Sequence, residues 1–183
     1  IADSEFEPSE LLKDELRALG ERIGHGVQLA VLTETSLLTK LSFPAPNQYS
    51  AAQEPDELIK MRALHATATG KAILAWLPEI ELVRVISANG LTQYTGKTLT
   101  TLSGLIEDLR LVRRRGHSID DEELKEGVVC IGAALRDTGG AIVGSISTTA
   151  SADKMTTEYR AEIAKAMVSA ALDFSKRLRS AKR

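Results

Sequence analysis

The sequence has a single cysteine, Cys130, and no long apolar run. One cysteine cannot form an intrachain disulfide, which is typical of proteins in a reducing compartment, so we expect a cytoplasmic protein. The longest uninterrupted apolar stretch, residues 72–77, has six residues, whereas a transmembrane helix needs about 20. These absences exclude a disulfide framework and predict neither a membrane partner nor a signal segment.

Aromatic residues and excess charge are also scarce. The 183 residues include one Trp, three Tyr and three Phe, and 23 basic side chains stand against 25 acidic ones, for a net charge of −2. The chain therefore lacks the positive field that holds proteins on nucleic acid and the aromatic platforms on which single strands stack. We expect no direct nucleic-acid binding by this segment. With 43% hydrophobic residues, the chain can bury an aliphatic core.

Apolar spacing and turn residues predict the order helix, two strands, loop, two short helices, longer helix, two strands, helix. The first helix is expected to follow a capping box of Ser4 and Glu7 and to end before Gly24. The strands are predicted at residues 27–32, 37–43, 127–135 and 141–149, and the later helices at 67–77, 79–87, 102–115 and 157–179.

Two hairpins separated by helices predict an α+β fold with an antiparallel sheet. The terminal helices are expected to pack together on one face of this sheet. The proline-containing loop at residues 44–55 and the short central helices would then cover the opposite face. The space between them and the sheet is the predicted place for a small ligand.

The second hairpin predicts which side chains share a face of the sheet. If Thr138 and Gly139 form its turn, Cys130 lies opposite Ser147. If the turn slides to Gly139 and Gly140, the same side chains stay together, whereas an odd-length loop would separate them. The small, mildly polar face holds Val128, Cys130, Gly132, Ser145, Ser147 and Thr149. The apolar face holds Val129, Ile131, Ala133, Leu135, Ile142, Ile146 and Thr148. The polar face is either exposed to solvent or the floor of a ligand pocket.

Motifs for nucleotides and metals are weak in this sequence. Gly70 and Lys71 lack the other residues of a phosphate loop. Residues 24–26 begin like a dinucleotide fingerprint, but Leu29 stands in place of its third glycine, and the segment leads from a helix to a strand and not from a strand to a helix. We expect no cofactor, and we expect no metal because none of the three histidines has a Cys or His neighbour at ligand spacing. The acidic run at residues 120–126 would suit paired catalytic carboxylates, but a solvated turn is the commoner structure for such a run and is the one we expect.

Cys130 leaves one catalytic alternative open. With His65 as the base and Asp120 as the orienting acid, the thiol would serve a small cysteine-dependent hydrolase. A buried, inert thiol is the simpler interpretation. A ligand-free dimerisation module with amphipathic terminal helices is a third possibility. We expect no catalytic residue.

Several motifs resemble, in the same order, the effector-binding domain of IclR-type transcriptional regulators. The helix signature lies at residues 64–75, LHATATGKAILA, and a threonine-rich connector follows at residues 94–99. The next stretch of the family resembles residues 114–123, RRGHSIDDEE, followed by residues 127–131, GVVCI. The closing strand resembles residues 144–148, GSIST. The likeness covers essentially the whole chain.

This resemblance implies a GAF-like fold whose pocket binds a small metabolite, often a carboxylic acid. It also implies that a winged helix-turn-helix domain, located before residue 1, makes the contacts with DNA. Residues 1–183 would form a single effector-binding domain within a homodimer or homotetramer. The family positions that hold the effector correspond to Ala68, Thr69, Asp120, Cys130, Ser147 and Thr149.

Three further residues join this predicted effector-binding set on chemical grounds. Gly70 belongs to the opening turn of the short helix, where backbone N–H groups favour a carboxylate. Val128 shares the polar sheet face with Cys130. Arg62 lies just ahead of the signature, where it would either pair with an acidic effector or remain on the surface.

Overall fold

The computed structural model describes residues 7–46 and 56–181, which form an α+β fold around one antiparallel sheet. The fold class predicted from the sequence is therefore confirmed. The helices are α1 (Pro8–Ile23), α2 (Glu57–Lys60), α3 (Ala68–Leu74), α4 (Glu79–Asn89), α5 (Leu102–Arg115) and α6 (Thr157–Ala181), with a 3₁₀ turn at Leu64–Ala66. The strands are β1 (Gly26–Thr33), β2 (Ser36–Phe43), β3 (Ser118–Asp121), β4 (Val128–Arg136) and β5 (Ile142–Ser151).

Helix α1 begins at Pro8, a residue that suits the first turn because its missing N–H has no helical partner there. The helix ends at Gly24, which adopts a left-handed conformation and donates its N–H to Gly20 O. Glu7 occupies the N-cap position without a side-chain cap. Ser4, the other half of the predicted capping box, lies outside the described residues, as do residues 47–55 of the predicted loop.

The five strands run in the order β2-β1-β5-β4-β3, and every neighbouring pair is antiparallel. The strand β3 corrects the sequence prediction, because residues 120–126 were expected to form a solvated turn. Residues 118–121 instead pair with β4, which brings Asp120 opposite Cys130. Asp120 and Glu123 are both buried.

The strand pairing of the second hairpin is the one expected for a turn at Gly139 and Gly140. It is shifted by two residues from the pairing expected for a turn at Thr138 and Gly139. Cys130 pairs with Thr149, and Gly132 pairs with Ser147. The loop itself has an odd length, since Asp137 N donates to Ala141 O around residues 138–140. A loop of odd length would place the two predicted sets of side chains on different faces. A bulge between the pairs Leu135–Gly144 and Arg136–Ile142 compensates for this, so that residues 128–135 keep their predicted faces.

The bulge overturns the predicted place of Ile142. This side chain packs with the cluster on the polar side of the sheet, whereas Val143 packs with the helix-covered core. The other residues of the predicted apolar face lie as expected, with Val129, Ile131 and Ile146 in that core.

The two faces of the sheet carry different layers. Helices α1 and α6 pack together on one face, and their Leu16, Leu19 and Met167 are fully buried against it. The opposite face carries α3, which lies across β4, β5, β3 and β1. Helices α4 and α5 contribute Val85 and Leu109 to a second apolar cluster on this side. The prediction that the terminal helices pack together on one face of the sheet is confirmed, and a short central helix covers the opposite face.

Helix α3 is shorter than the predicted helix at residues 67–77, because Thr67 is its cap and not its first residue. The Thr67 hydroxyl accepts a hydrogen bond from Gly70 N at 3.1 Å. Helix α2 and the 3₁₀ turn before α3 were not predicted. None of the helices in the described ranges is both long enough and apolar enough to cross a membrane.

Candidate ligand cavity

A cavity lies between the polar face of the sheet and the opening turn of α3. Its volume is ≈ 130 Å³, and about 10–15 Å³ suffices for one water molecule. The cavity therefore holds several waters or one small organic molecule. Seven residues of the predicted effector-binding set line it: Ala68, Thr69, Asp120, Val128, Cys130, Ser147 and Thr149.

The floor of the cavity is formed by paired strands β4 and β5. Cys130 Sγ lies 3.2 Å from Thr149 Oγ1, which is hydrogen-bond distance for sulfur. Ser147 lies one pair further along the same face and is buried. These side chains offer two hydroxyls and a thiol, which can donate to or accept from a polar ligand.

The wall opposite the floor is the first turn of α3, and two buried serines hold it against the sheet. Ser118 Oγ donates to Ala68 O at 2.6 Å, and Ser145 Oγ donates to Thr69 O at 2.8 Å. Gly132 permits this approach, since a Cβ there would lie 2.8 Å from Ala68 O. The positions of Ala68 and Thr69 in the cavity are therefore set by three neighbouring strands.

Asp120 supplies the carboxyl group of the cavity. Burial, together with the nearby charge of Glu123, raises its pKa from 3.8 to about 7. The Glu123 N–H, which donates to Asp120 Oδ1 at 2.8 Å, acts in the opposite direction. Near neutral pH, Asp120 can accordingly donate a hydrogen bond when protonated or accept one when ionised.

A buried ionic cluster lies behind Asp120 and connects three elements. Lys71 of α3 is fully buried, and its ammonium donates to Asp108 Oδ2 of α5 at 2.8 Å and to Glu123 Oε1 at 2.9 Å. Burial still raises the pKa of Glu123, although the charge of Lys71 opposes this. The cluster fixes the loop after β3 to α3 on the side away from the cavity floor.

Sequence reasoning missed five polar residues that line the cavity, which are Gln28, Lys60, Thr67, Lys125 and Ser151. Two of them, Gln28 of β1 and Lys60 of α2, contact each other. Lys60 Nζ donates to Gln28 Oε1 at 3.1 Å, and both residues are buried. Gln28 had a visible signal, because it is the one polar residue within the predicted strand at 27–32. Lys60 had none, since its short helix was not predicted.

Two residues of the predicted set do not line the cavity, Gly70 and Arg62. Gly70 faces the 3₁₀ turn, and a Cβ there would lie 2.5 Å from Leu64 Cα and closer still to Leu64 O. Its role is therefore close packing. Arg62 is exposed, on a short segment that leads away from α2.

The residues of the hydrolase alternative do not assemble into a catalytic triad. His65 is buried and binds Thr92 O through Nε2 at 2.8 Å, with its ring against Tyr94. Burial lowers the pKa of His65. It does not line the cavity that contains Cys130. Across residues 7–46 and 56–181, no group of three or more His, Cys, Asp or Glu side chains could hold a metal ion.

Comparison with known proteins places this architecture among regulators. Residues 9–176 match the family described as bacterial transcriptional regulator IclR C-terminal. The HTH-type transcriptional repressor AllR of Escherichia coli (strain K12) is 39% identical over 93 residues, which are 51% of this chain and 34% of that protein. The match thus spans about a third of the length of this curated relative.

Solved structures of regulators share the fold. The IclR protein of Thermotoga maritima superposes with a TM-score of 0.83 at 26% identity, over 95% of this chain and 69% of that chain. A double mutant of the PobR inducer-binding domain from Acinetobacter, solved with 3-hydroxybenzoic acid, has a TM-score of 0.79 at 20% identity, over 93% and 98% of the two chains. The latter likeness concerns the fold alone.

These relatives are transcriptional regulators and not enzymes, in agreement with the expectation that the chain has no catalytic role. The match covers nearly the whole chain, and the family resemblance seen in the sequence is confirmed. The chain belongs to the IclR family of bacterial transcriptional regulators and contains its C-terminal domain.

Proposed function

We propose that this domain senses a small organic acid, which binds in the cavity between the sheet and α3. The observation that carries the proposal is the cavity itself, whose buried walls present a carboxyl group, an ammonium group and hydroxyls from separate elements. Groups of this kind fix the orientation of a polar ligand. The cavity volume suits a metabolite and is too small for a peptide or a nucleic acid.

The chemistry of the walls supports an acid that carries a second polar group. Ser147 and Thr149 can donate hydrogen bonds to a carboxylate or to an oxygen substituent. Asp120 can accept from a ligand hydroxyl or, when protonated, donate to a ligand oxygen. Hydroxy acids and oxo acids of few carbon atoms satisfy these partners together.

The wider role follows from the family. We propose that effector binding changes the affinity of an attached helix-turn-helix domain for DNA, with a coupling of about 1–3 kcal/mol. In that arrangement the domain described here makes no DNA contact, in keeping with its net charge of −2. A regulator of this kind would act in the cytoplasm.

Self-association is part of the proposal, as a homodimer or a homotetramer. One chain has a mass of 19.8 kDa. Analytical ultracentrifugation is expected to find one species of two or four chains that persists on dilution. A species of one chain at all concentrations would contradict this part.

Calorimetry against a panel of small hydroxy acids, oxo acids and hydroxybenzoic acids tests the effector site. At least one acid is expected to bind, and Ser147→Ala and Thr69→Ala are each expected to weaken it. Ser42→Ala is the matched control, because Ser42 is exposed on β2. The proposal is overturned if no acid binds, or if both cavity variants bind every acid as tightly as the unchanged chain.

A further inference from the structure

Lys60 is the least expected group in the cavity wall. Its side chain is only 9% exposed, although lysine is among the residues most rarely buried. It reaches the cavity from α2, a helix of four residues, and its ammonium lies beside the Gln28 amide of strand β1.

The positive charge of Lys60 has no buried negative partner among the described residues. Gln28 Oε1, at 3.1 Å, is neutral. The carboxylate within salt-bridge distance is that of Glu57, at 3.4 Å, and the Glu57 side chain is 52% exposed. An exposed carboxylate is well solvated and compensates a buried charge poorly.

The carboxyl group that does line the cavity, that of Asp120, interacts with other charges. The charges that act on Asp120 come chiefly from Glu123 and Lys71, which lie behind the cavity wall. Burying an ammonium is costly unless an anion pairs with it. The buried ammonium of Lys60 is therefore best compensated when an anion occupies the cavity.

We propose that Lys60 and Gln28 form the carboxylate subsite of the cavity, so that the effector is an organic anion whose carboxylate pairs with Lys60 Nζ. Gln28 holds the ammonium in place through its amide oxygen. The remaining polar group of the effector then faces Ser147 and Thr149 on the floor. This inference rests on the proposed sensing function and assigns the residues that bind the charged end of its ligand.

The inference divides acids from their neutral analogues. Lactate, glycolate and 3-hydroxybenzoate are each compared by calorimetry with the corresponding amide, which keeps the size but loses the charge. Every acid that binds is expected to bind about tenfold or more tightly than its amide, because the amide leaves the buried ammonium unpaired. Inorganic phosphate is included as an anion without a carboxylate, and it is expected to bind more weakly than the best acid.

Variants of Lys60 locate the effect. Lys60→Met keeps approximately the length of the side chain and removes its charge. It is expected to reduce the affinity for the acid about tenfold or more and to leave the affinity for the amide unchanged. Lys60→Arg is expected to retain binding of the acid. Lys165→Met is the matched control, because Lys165 is exposed on α6 on the opposite side of the sheet.

The outcomes separate this inference from the function on which it rests. If the amides bind as well as the acids, or if Lys60→Met binds the acids unchanged, the subsite is wrong and the sensing function stands. If phosphate binds most tightly, the carboxylate assignment is wrong. If nothing binds, the sensing function fails as well. Should Lys60→Met not fold, the comparison of acid with amide on the unchanged chain decides.

Discussion

Asp120 is a buried residue whose charge is expected to change near neutral pH. Its pKa rises from 3.8 to about 7 because the carboxyl group is buried and lies near Glu123. Between these two values the folded chain retains a proton that the unfolded chain has already lost. The stability that Asp120 contributes is therefore complete below about pH 4 and is lost as the pH rises through 7.

The variant Asp120→Asn is expected to remove this pH dependence. Asparagine is neutral and keeps an oxygen that can accept from the Glu123 N–H. The free energy of unfolding of the unchanged chain, measured with urea, should fall relative to that of the variant by about 3 kcal/mol between pH 4.5 and 7.5. Asp173→Asn, an exposed change on α6, serves as the control. Parallel curves for Asp120→Asn and the unchanged chain would show that Asp120 titrates normally.

Gly70 contributes to the site through space and not through ligand contact. A methyl group at this position would press on the backbone of Leu64, which cannot move aside as a flexible side chain would. Gly70→Ala is expected to lower the free energy of unfolding by about 1–3 kcal/mol.

Gly96→Ala provides the matched comparison for this position. A Cβ at Gly96 meets nothing within 4 Å, so the same substitution should leave the stability nearly unchanged. Equal effects of the two alanines in thermal unfolding would contradict the packing role of Gly70.

At the scale of elements, α3 is the part that joins the cavity to the rest of the molecule. Its first turn is fixed to the sheet by Ser118 and Ser145, and its Lys71 is paired with Asp108 and Glu123. Hydrogen bonds to its backbone and ion pairs of Lys71 therefore both fix the position of the first turn of α3.

Lys71→Met is expected to destabilise the fold strongly. Loss of the ammonium leaves Glu123, whose side chain is 8% exposed, as an uncompensated buried carboxylate, and such breaks cost about 3–5 kcal/mol. Lys97→Met is the control, because Lys97 is exposed and its pairing with Glu122 is screened by water. Chemical denaturation measures the free energy of unfolding of both variants. A Lys71 variant as stable as the Lys97 variant would mean that the cluster contributes nothing.

The sequence predicts elements well where local chemistry decides them. Thr101 and Gly116 mark the ends of α5, and Gly24 ends α1. Strand β3 could not be predicted in this way, because residues 118–121 are held in the sheet by pairing with β4 and not by their own propensity. Acidic residues are depleted in strands, so Asp120 and Asp121 predict a turn until the partner strand is known.

The register of the second hairpin shows a different limit of local reasoning. Gly140 takes a left-handed conformation in the three-residue loop, and Asp137 Oδ1 accepts from Gly139 N and Ala141 N. Several turns suit the same residues, and the bulge at Val143 depends on packing across the sheet. The faces were predicted correctly for residues 128–135, but Ile142 was not.

At the scale of the whole molecule, the two faces of the sheet have different roles. Helices α1 and α6 bury one face in an aliphatic core, and this leaves the opposite face for small and polar side chains. The alternation of residues along β4 and β5 predicts most of the cavity floor. Lys60 and Gln28 could not be placed from the sequence, because their contact depends on how α2 packs beside the hairpin of β1 and β2. The GAF-like description and the effector contacts stay predictions.

Binding on one face is expected to stabilise the fold as a whole. A ligand that binds the folded chain alone adds about 2.7 kcal/mol at a concentration of 100 times its Kd. The midpoint of thermal unfolding should therefore rise with the concentration of any acid that calorimetry identifies. An acid that binds by calorimetry but leaves this midpoint unchanged would be bound equally by the unfolded chain.

The central claim, that the cavity is the effector site, is tested most directly by methyl NMR. A binding acid is titrated into the chain while the methyl signals of Thr69, Val128 and Thr149, which line the cavity, are followed beside those of Leu16 and Met167 in the helix-packed core. The account predicts saturable shifts of the three cavity signals and little change in the core pair. Binding that leaves all three cavity signals unmoved would contradict it.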